Sequence, residues 1–460
     1  MEQSTSSLQE MDKLPVHTAV LKNILPSISI FLMMLIYNYA DLFFIGMTKN
    51  DYMVSAVTLA SPIFMFFMAF GSLFGTGGLT LISQDVAKGN TDRIKKISSF
   101  CFWCSIITGV ISLIAILIFA TPLASWLGAN GTQTISFTRD YLEWIAISAP
   151  FAVIANTYST LIRSEGKPMI SMIGMLLGNV LNIILDPVFI LGFKMGCSGA
   201  ALATCIGQIA AAVFYLVYII KGKSAFSIHL KDFCAGDGIA KGVFSIGIPA
   251  ALVTLMMNAY QIISNIVIGT FGDLQVAAMG VGMKISVIGS VISNGVGQGI
   301  QPLIGYQVGN GNKKRFKEIL KFSLIFSVAV SAVISILCFA GAKPIVKMFL
   351  TESASIQMGV TFTKIILSTM WISGMINLIS FTIQSMGTAK QATITSLARN
   401  GYVGIIAVLI MSLFRNVYIV AVAQPVADII SFIITLFMLK SSMKICFSHD
   451  NACVSLQNHE

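Results

Sequence analysis

Residues 75–93, with the sequence GTGGLTLISQDVAKGNTDR, return 222 residues later as residues 297–315, GQGIQPLIGYQVGNGNKKR. The two segments align without a gap, and eight of their nineteen positions are identical. The identical pairs are Gly75/Gly297, Gly77/Gly299, Leu81/Leu303, Ile82/Ile304, Val86/Val308, Gly89/Gly311, Asn90/Asn312 and Arg93/Arg315. The second half of the chain is therefore a diverged copy of the first.

The repeat extends into the apolar segments on either side, but two acidic residues are missing from the copy. Asp41 aligns with Ser264, and Asp186 aligns with Ala407. The matched pairs are Pro26/Pro249, Tyr37/Tyr260 and Gly46/Gly269 at an offset of 223, and Ser164/Ser385, Gly166/Gly387 and Asn179/Asn400 at an offset of 221. The architecture is thus predicted to be symmetric, with the acid chemistry confined to the first half.

The composition indicates a membrane protein. Of 460 residues, 56% are apolar and 10% charged, and the mean hydropathy is +0.85, more apolar surface than a soluble protein can bury. A bilayer span takes about 20 apolar residues in a helix. We predict twelve such helices, at 19–46, 53–86, 97–125, 136–163, 167–192, 198–220, 240–270, 275–308, 320–341, 356–386, 391–413 and 416–439. A duplicated membrane bundle is typical of a transporter.

The distribution of basic residues predicts the topology. If the N-terminus is cytoplasmic, internal loops and tails hold twenty of the 29 Lys and Arg residues, and external loops hold six. This bias places both termini in the cytoplasm. Basic loops beside membrane spans are explained by this rule, so we expect no nucleic-acid partner.

The polar stretch at 221–241 is the longest internal connector and divides the chain into lobes. The predicted parts are a cytoplasmic tail at 1–18, an N-lobe at 19–220, a cytoplasmic linker at 221–241, a C-lobe at 242–440 and a cytoplasmic tail at 441–460. Pro26 and Pro249 lie at matching positions inside spans, which suggests a duplicated hinge, although inheritance of the repeat explains the match too.

The cysteines and histidines predict neither a disulfide framework nor a metal centre. Cys101 and Cys104 have a CxxC spacing, but no second pair or histidine follows at zinc spacing. Six of the eight cysteines lie in or near spans, so we interpret them as buried thiols, and we expect no cofactor.

Asp41 and Asp186 are the clearest functional candidates, because a carboxylate inside a membrane span is costly. Each lies about six residues before the external end of its span, which at 1.5 Å per residue is roughly 9 Å below the outer surface. Two distant parts of the chain thus place acids at one depth in one lobe.

Polar neighbours accompany these acids. Asn179, Asn182 and Asp186 are spaced three and four apart and share one helical stripe. Tyr37 and Asn38 precede Asp41 by four and three residues, and Thr204 lies at a matching depth in span 6. Such a group can bind a proton or coordinate Na⁺ through oxygen; the alternative is a structural network between helices.

The second lobe carries uncharged polar stripes instead of acids. They suit a cavity wall, although packing between helices explains them nearly as well. The charged residues Lys284, Arg399 and Asp428 lie in spans without an assigned role. The cavity candidates are Gln261, Asn265, Lys284, Asn294, Gln298 and Gln301.

From about residue 15 to residue 440 the chain resembles the multidrug and toxic compound extrusion (MATE) family. The resemblance is carried by residues 37–41 (YNYAD), 179–187 (NVLNIILDP) and 297–312 (GQGIQPLIGYQVGNGN). It implies an all-α membrane fold of twelve helices in two pseudo-symmetric six-helix lobes around a central cavity. It also implies a first-lobe cation site that maps to Asp41, Asn182, Asp186 and Thr204. Branches with acids on spans 7 and 10 differ, since spans 7, 8 and 10 contain no carboxylate here.

The resemblance implies export of organic, amphipathic compounds in exchange for H⁺, with Na⁺ as the alternative ion, and we expect these compounds to be cations. The alternative is a lipid-linked oligosaccharide flippase of the same superfamily, and a remoter one is an integral membrane enzyme. We expect a multi-pass protein of a bacterial plasma membrane, working as a monomer with small-molecule substrates and membrane lipids as partners.

Overall fold

A computed structural model describes residues 6–129, 131–222, 224–271, 273–347 and 353–447. It leaves undescribed the side chains of residues 6, 42, 51, 258, 265, 273, 274, 276, 277, 353 and 354. Throughout the described ranges the chain forms helices and short connections, without a strand, as the predicted all-α fold requires. Of the predicted tails, residues 1–5 and 448–460 lie outside the described residues.

Seven α-helices form the first half of the described chain. A short 3₁₀ turn, Ile162–Glu165, follows α5, and a π-helical segment, Val188–Gly192, follows α6. In chain order the helices are α1 (Ser6–Lys13), α2 (Val16–Gly46), α3 (Asp51–Lys88), α4 (Thr91–Trp126), α5 (Thr132–Leu161), α6 (Pro168–Pro187) and α7 (Cys197–Ile220).

Nine α-helices form the second half, as far as it is described. A π-helical segment, Ala398–Tyr402, joins α14 to α15. The helices are α8 (Ile239–Gly269), α9 (Asp273–Gly309), α10 (Lys313–Ala340), α11 (Ala342–Lys347), α12 (Ser353–Leu367), α13 (Met370–Ser385), α14 (Ala389–Leu397), α15 (Val403–Ser412) and α16 (Val417–Phe447).

The described helices match the twelve predicted spans. Eleven helical segments are long and apolar enough to cross a bilayer. The twelfth span is the pair α12 and α13, which bend by 43° at a short break. Within the predicted span at 356–386 the α-helix is interrupted at Ser368 and Thr369.

Packing groups the chain into two compact units that differ slightly from the predicted lobes. The first unit contains Met1–Lys13 and Ser29–Ala251, and the second contains Leu14–Ile28 and Leu252–Glu460. The first part of α2 thus belongs to the second unit, and the first part of α8 belongs to the first. Both divisions fall two residues beyond a proline, Pro26 in α2 and Pro249 in α8.

The repeated glycines lie where helix backbones approach closely within each unit. In the first unit, a Cβ atom at Gly77 would lie 2.3 Å from the carbonyl oxygen of Val243. In the second unit, a Cβ atom at Gly299 would lie 2.8 Å from the Cα atom of Ile24. Any larger residue would force these helices apart, which gives a packing reason for the identity of the two positions.

The other repeated residues form matching helix ends. Gly89 directly follows α3 and Gly311 lies two residues beyond α9, with positive φ angles of 71° and 68°, a conformation that favours glycine. The next residue in each copy caps the following helix: the Asn90 side chain accepts a hydrogen bond from the backbone N–H of Arg93, and Asn312 accepts one from Arg315. The repeat therefore preserves backbone geometry at these turns.

The predicted linker is held against the first unit by hydrogen bonds. The Ser98 hydroxyl donates to the Ser227 carbonyl and accepts from the Ser227 N–H, at 3.1 and 2.9 Å. The Glu165 carboxylate accepts from the Ser224 hydroxyl and the Ala225 N–H. The hydrogen bond from Lys96 and its charge lower the pKa of Asp237.

Candidate functional site

Four predicted coupling residues lie together in the first unit and form what we call the acid cluster: Asp41, Asn182, Asp186 and Thr204. They come from α2, α6 and α7, and all four are buried. The Asn182 amide donates to the Thr204 hydroxyl at 3.2 Å and lies 3.4 Å from Asp186 Oδ1. Asp41 and Asp186 are close enough for their charges to interact. The structure thus brings together residues separated by more than 160 positions.

Two glycines explain how α6 and α7 come close enough for this contact. A Cβ atom at Gly178 would lie 2.6 Å from the carbonyl oxygen of Gly207, and the reverse distance is also 2.6 Å. Only glycine permits that approach, one turn before Asn182 on α6. The glycine crossing therefore positions Asn182 against Thr204.

Asp186 lies where the regular hydrogen-bond ladder of α6 ends. Pro187 follows it, and the π-helical segment Val188–Gly192 begins at the next residue. The N–H of Phe193 reaches back to the Val188 carbonyl at 2.9 Å. Single π-helical turns inside helices occur frequently at functional sites.

The acid cluster leaves buried polar atoms without partners. Asp41 Oδ1, Asn182 Oδ1 and Asp186 Oδ2 accept no hydrogen bond in the described part of the chain. No lysine or arginine of that part forms an ion pair with Asp41 or Asp186. Unpaired buried acceptors are costly. Protons or a cation held by these oxygens would remove the free-energy cost of burying them unpaired, so these oxygen ligands fit either H⁺ or Na⁺.

The predicted neighbours of the acids divide into two groups. Tyr37 is buried and within electrostatic range of both acids, and Asn179 is buried with an amide nitrogen that has no partner among the described residues. Asn38 is exposed instead, and its amide donates to the Met34 carbonyl of its own helix at 2.7 Å. Asn38 is therefore placed outside the buried cluster, because it points from a different face of α2.

Sequence reasoning missed Tyr141 on α5. Its side chain is buried, and the charges of both cluster acids act on its hydroxyl. The same depth argument that selected Thr204 could have found it, since Tyr141 lies near the predicted external end of its span.

The second unit contains a cavity of about 430 Å³. Three predicted cavity residues line it: Gln261, Lys284 and Asn294. Four methionines contribute to its apolar wall: Met257, Met279, Met283 and Met370.

A buried ion pair lies in the wall of this second-unit cavity. Arg399 Nε donates to Asp428 Oδ1 at 2.6 Å, and the Thr369 hydroxyl donates to Asp428 Oδ2 at 2.8 Å. Gln424 approaches Asp428 Oδ1 at 3.4 Å. Thr369 stands at the break between α12 and α13, so the interruption of this span places a hydroxyl against Asp428. The sequence identifies Arg399 and Asp428 as charged residues within spans but does not predict that they form a pair.

Arg399 lies in the π-helical segment between α14 and α15. Within that segment Gly401 has non-helical angles, φ −98° and ψ −119°. A Cβ atom at Gly404 would lie 2.3 Å from the Arg399 carbonyl oxygen. The widened turn that carries Arg399 therefore depends on glycine at position 404.

Two other cavity candidates, Gln301 and Gln298, are absent from the described wall of this cavity. Gln301 is fully buried, with its amide 3.5 Å from Gln384 Oε1, and it is absent from the described wall of this cavity, so its place in a cavity wall stays a prediction. The face of α9 that carries Gln301 packs against α13 instead. Gln298 is half-buried and absent from the wall of this cavity. The side chain of Asn265 lies outside the described residues.

A known protein family matches both halves of the chain. The sequence profile of the MatE family matches residues 26–188 and 249–410, more than two thirds of the chain. The chain belongs to the MatE family. The two matched ranges of this MatE protein start 223 and end 222 residues apart, so they reproduce the internal repeat.

Among its relatives are staphylococcal proteins named multidrug export protein MepA. The protein of Staphylococcus aureus strain N315 is 32% identical over 397 residues, covering 86% of this MatE chain and 87% of that protein. The protein of Staphylococcus haemolyticus strain JCSC1435 is 32% identical over 385 residues, covering 83% and 84%.

Solved MATE structures share the fold. A crystal structure of MATE in complex with MaL6 superposes with a TM-score of 0.89 at 20% identity, over 95% of this chain and 99% of that one. A Pyrococcus furiosus transporter of the MOP superfamily, whose binding pocket is described as having reverse polarity, also gives 0.89 at 20% identity, over 96% and 98%. The predicted all-helical fold is confirmed. The relatives are named export proteins and transporters, so the prediction of a transporter rather than an enzyme is confirmed, as is the prediction of a multi-pass protein of the plasma membrane.

Proposed function

We propose that the protein exports amphipathic, drug-like organic compounds, mainly cations, in exchange for H⁺, with Na⁺ as the competing ion hypothesis. The MepA relatives support export of many compounds. The acid cluster carries the coupling part of the proposal, because it combines two buried acids, unpaired oxygen acceptors and no ion-paired base in the described chain.

In this proposal the acid cluster alternates between a charged and a neutralised state. Two carboxylates at close range repel, so taking up a cation relieves the cluster. A cationic cargo loses its electrostatic attraction to the protein when a proton or Na⁺ neutralises the acids. Cargo and coupling ion then compete, and rearrangement of α2 around Pro26 releases the cargo outward.

The test is ethidium efflux from proteoliposomes in which a proton gradient and a sodium gradient are imposed separately. Proton coupling predicts efflux with the proton gradient alone, together with ethidium affinity that falls as pH drops. Sodium coupling predicts efflux with the sodium gradient alone and Na⁺-dependent binding that requires Asp41, Asn182, Asp186 and Thr204. Efflux without either gradient would contradict secondary active transport.

The flippase alternative needs several cations in the cavity to hold a pyrophosphate group. The described wall of the second-unit cavity offers Lys284 and Arg399, and Arg399 is already paired with Asp428. That count favours the exporter. We further propose that one chain suffices for transport, since the acid cluster and the second-unit cavity are each formed by side chains of a single chain.

A further inference from the structure

In the internal repeat, the second-unit cavity corresponds to the surroundings of the acid cluster in the first unit. Tyr260 and Asn400 line the cavity, and they are the repeat partners of Tyr37 and Asn179 beside the acids. Equivalent positions of the two repeats therefore face a functional site in each unit.

The side chains that changed in the copy reverse the charge of the site. Asp41 and Asp186 are replaced by Ser264 and Ala407. At the offset of 221, Arg399 stands at the position of Gly178. The copy thus loses two acids and gains, in the cavity wall, a guanidinium and one carboxylate, Asp428, which stands at the position of Gly207 at the same offset.

The cavity retains one uncompensated positive charge. Both oxygens of Asp428 are occupied, by Arg399 and by Thr369, so this ion pair is internally satisfied. Lys284 also lines the cavity, is exposed there, and forms no ion pair with any residue of the described chain. With Asp428 as the acid in the described wall, the balance of Lys284, Arg399 and Asp428 is positive.

We propose that the second-unit cavity binds the carboxylate of amphipathic organic acids, with Lys284 as its cation. This proposal rests on the proposed export function and names a second class of cargo for it. Gln261, Asn294 and Asn400 line the same cavity as Lys284 and supply amide donors to it. A carboxylate accepts charge-assisted hydrogen bonds from such groups, whereas an organic cation would be repelled by the lysine.

The apolar part of the wall suits the remainder of such a molecule. A cavity of about 430 Å³ falls in the size range of sites for drug-sized ligands. The methionine side chains of its wall adapt to different apolar shapes, so the cavity would select a ligand by its carboxylate rather than by the shape of its apolar part.

The test compares dansylglycine with its uncharged methyl ester, by fluorescence titration of the full-length protein in lipid nanodiscs. The parent protein should bind the acid about tenfold more tightly than the ester, the size expected for one charge-assisted contact. In Lys284→Gln this ratio should fall to about one, and Lys284→Arg should keep most of it. Lys343→Gln removes an exposed lysine of α11 away from the cavity and should leave the ratio unchanged.

Equal affinity for acid and ester in the parent protein, or binding of neither, would overturn the carboxylate site. A preference that survives Lys284→Gln would also overturn it. The export function is judged separately by ethidium efflux: lack of efflux with a retained Lys284-dependent preference would refute export and leave the binding site standing.

Discussion

The two units build opposite electrostatic sites on one duplicated scaffold. In the first unit, Asp41 and Asp186 are buried without an ion-paired base in the described residues; in the second, Asp428 is neutralised by Arg399. Tyrosines at matching positions, Tyr37 and Tyr260, accompany both sites. Duplication has preserved the positions that face a site and changed the charges placed on them.

The difference between Gly178 and Arg399 shows how one position sets the local chemistry. Gly178 lets α6 approach α7, so that an amide and a hydroxyl meet beside two acids. Arg399 fills the equivalent position with a long side chain that reaches Asp428 on α16. A self-neutralised pair has little need of an external cation, whereas the acids of the first unit do need one. The comparison therefore supports the proposal that ion coupling occurs in the first unit.

The largest expected effect separates the acids of the two units. Asp41→Asn and Asp186→Asn should each reduce gradient-driven ethidium efflux to the level of protein-free liposomes, because the coupling charge is gone. Both variants should fold, since a neutral amide is easier to bury than an unpaired carboxylate. Asp428→Asn should retain most of the efflux.

Retained active efflux in the double variant Asp41→Asn, Asp186→Asn would refute the first-unit site. Efflux should be compared at equal amounts of reconstituted protein, and size-exclusion profiles should show that all variants are folded.

A second expected effect concerns the glycine crossing behind the acid cluster. Gly178→Ala should push α6 from α7 and lengthen the contact between Asn182 and Thr204, because the new Cβ atom would meet the Gly207 carbonyl at 2.6 Å. We expect initial efflux rates to fall by about tenfold to hundredfold, the cost of misplacing a functional group by roughly 1 Å.

Gly46→Ala is the matched control for Gly178→Ala, since a Cβ atom at Gly46 meets nothing within 4 Å. Adding Thr204→Ala to Gly178→Ala should cost little more than either change alone, because both act on one contact. Fully additive losses would mean that the crossing does not act through Asn182 and Thr204.

The fold could be predicted from the sequence because its signals are either local or repeated along the chain. The length of the apolar segments indicated the spans, and alignment of the two repeats showed that the copy lacks the two acids. Asn182, Asp186 and Thr204 could be grouped because helical spacing and depth can be counted along the chain. The pairing of Arg399 with Asp428 could not be predicted, since it depends on a π-helical turn and on the break at Thr369. The contact of Gln301 with Gln384 could not be predicted either, since periodicity defines a helix face but not what that face packs against.

A third expected effect is on stability rather than transport. Asp428→Asn leaves Arg399 without its carboxylate, and breaking a buried pair is strongly destabilising. Because the Arg399 side chain is 16% exposed, we expect a partial loss of about 2 kcal/mol in the free energy of unfolding. Thermal unfolding in detergent should show a lower midpoint for Asp428→Asn than for Asp41→Asn. The reverse order would mean that the second-unit pair is not self-compensating.

The smallest expected effect, an absence of signal, tests whether the two repeats run in the same direction through the membrane. Six spans per repeat place the matching turns after α3 and α9 on one side, and their basic residues predict that this side is cytoplasmic. In a background without native cysteines, Thr91→Cys and its repeat partner Lys313→Cys should both resist a membrane-impermeant maleimide added to intact cells. Lys194→Cys, in the predicted external turn before α7, should react under the same conditions. Labelling of both Thr91→Cys and Lys313→Cys from outside would mean that the predicted topology is inverted. Labelling of only one of them would refute the parallel repeat, because positions on the same side of the membrane must be separated by an even number of spans.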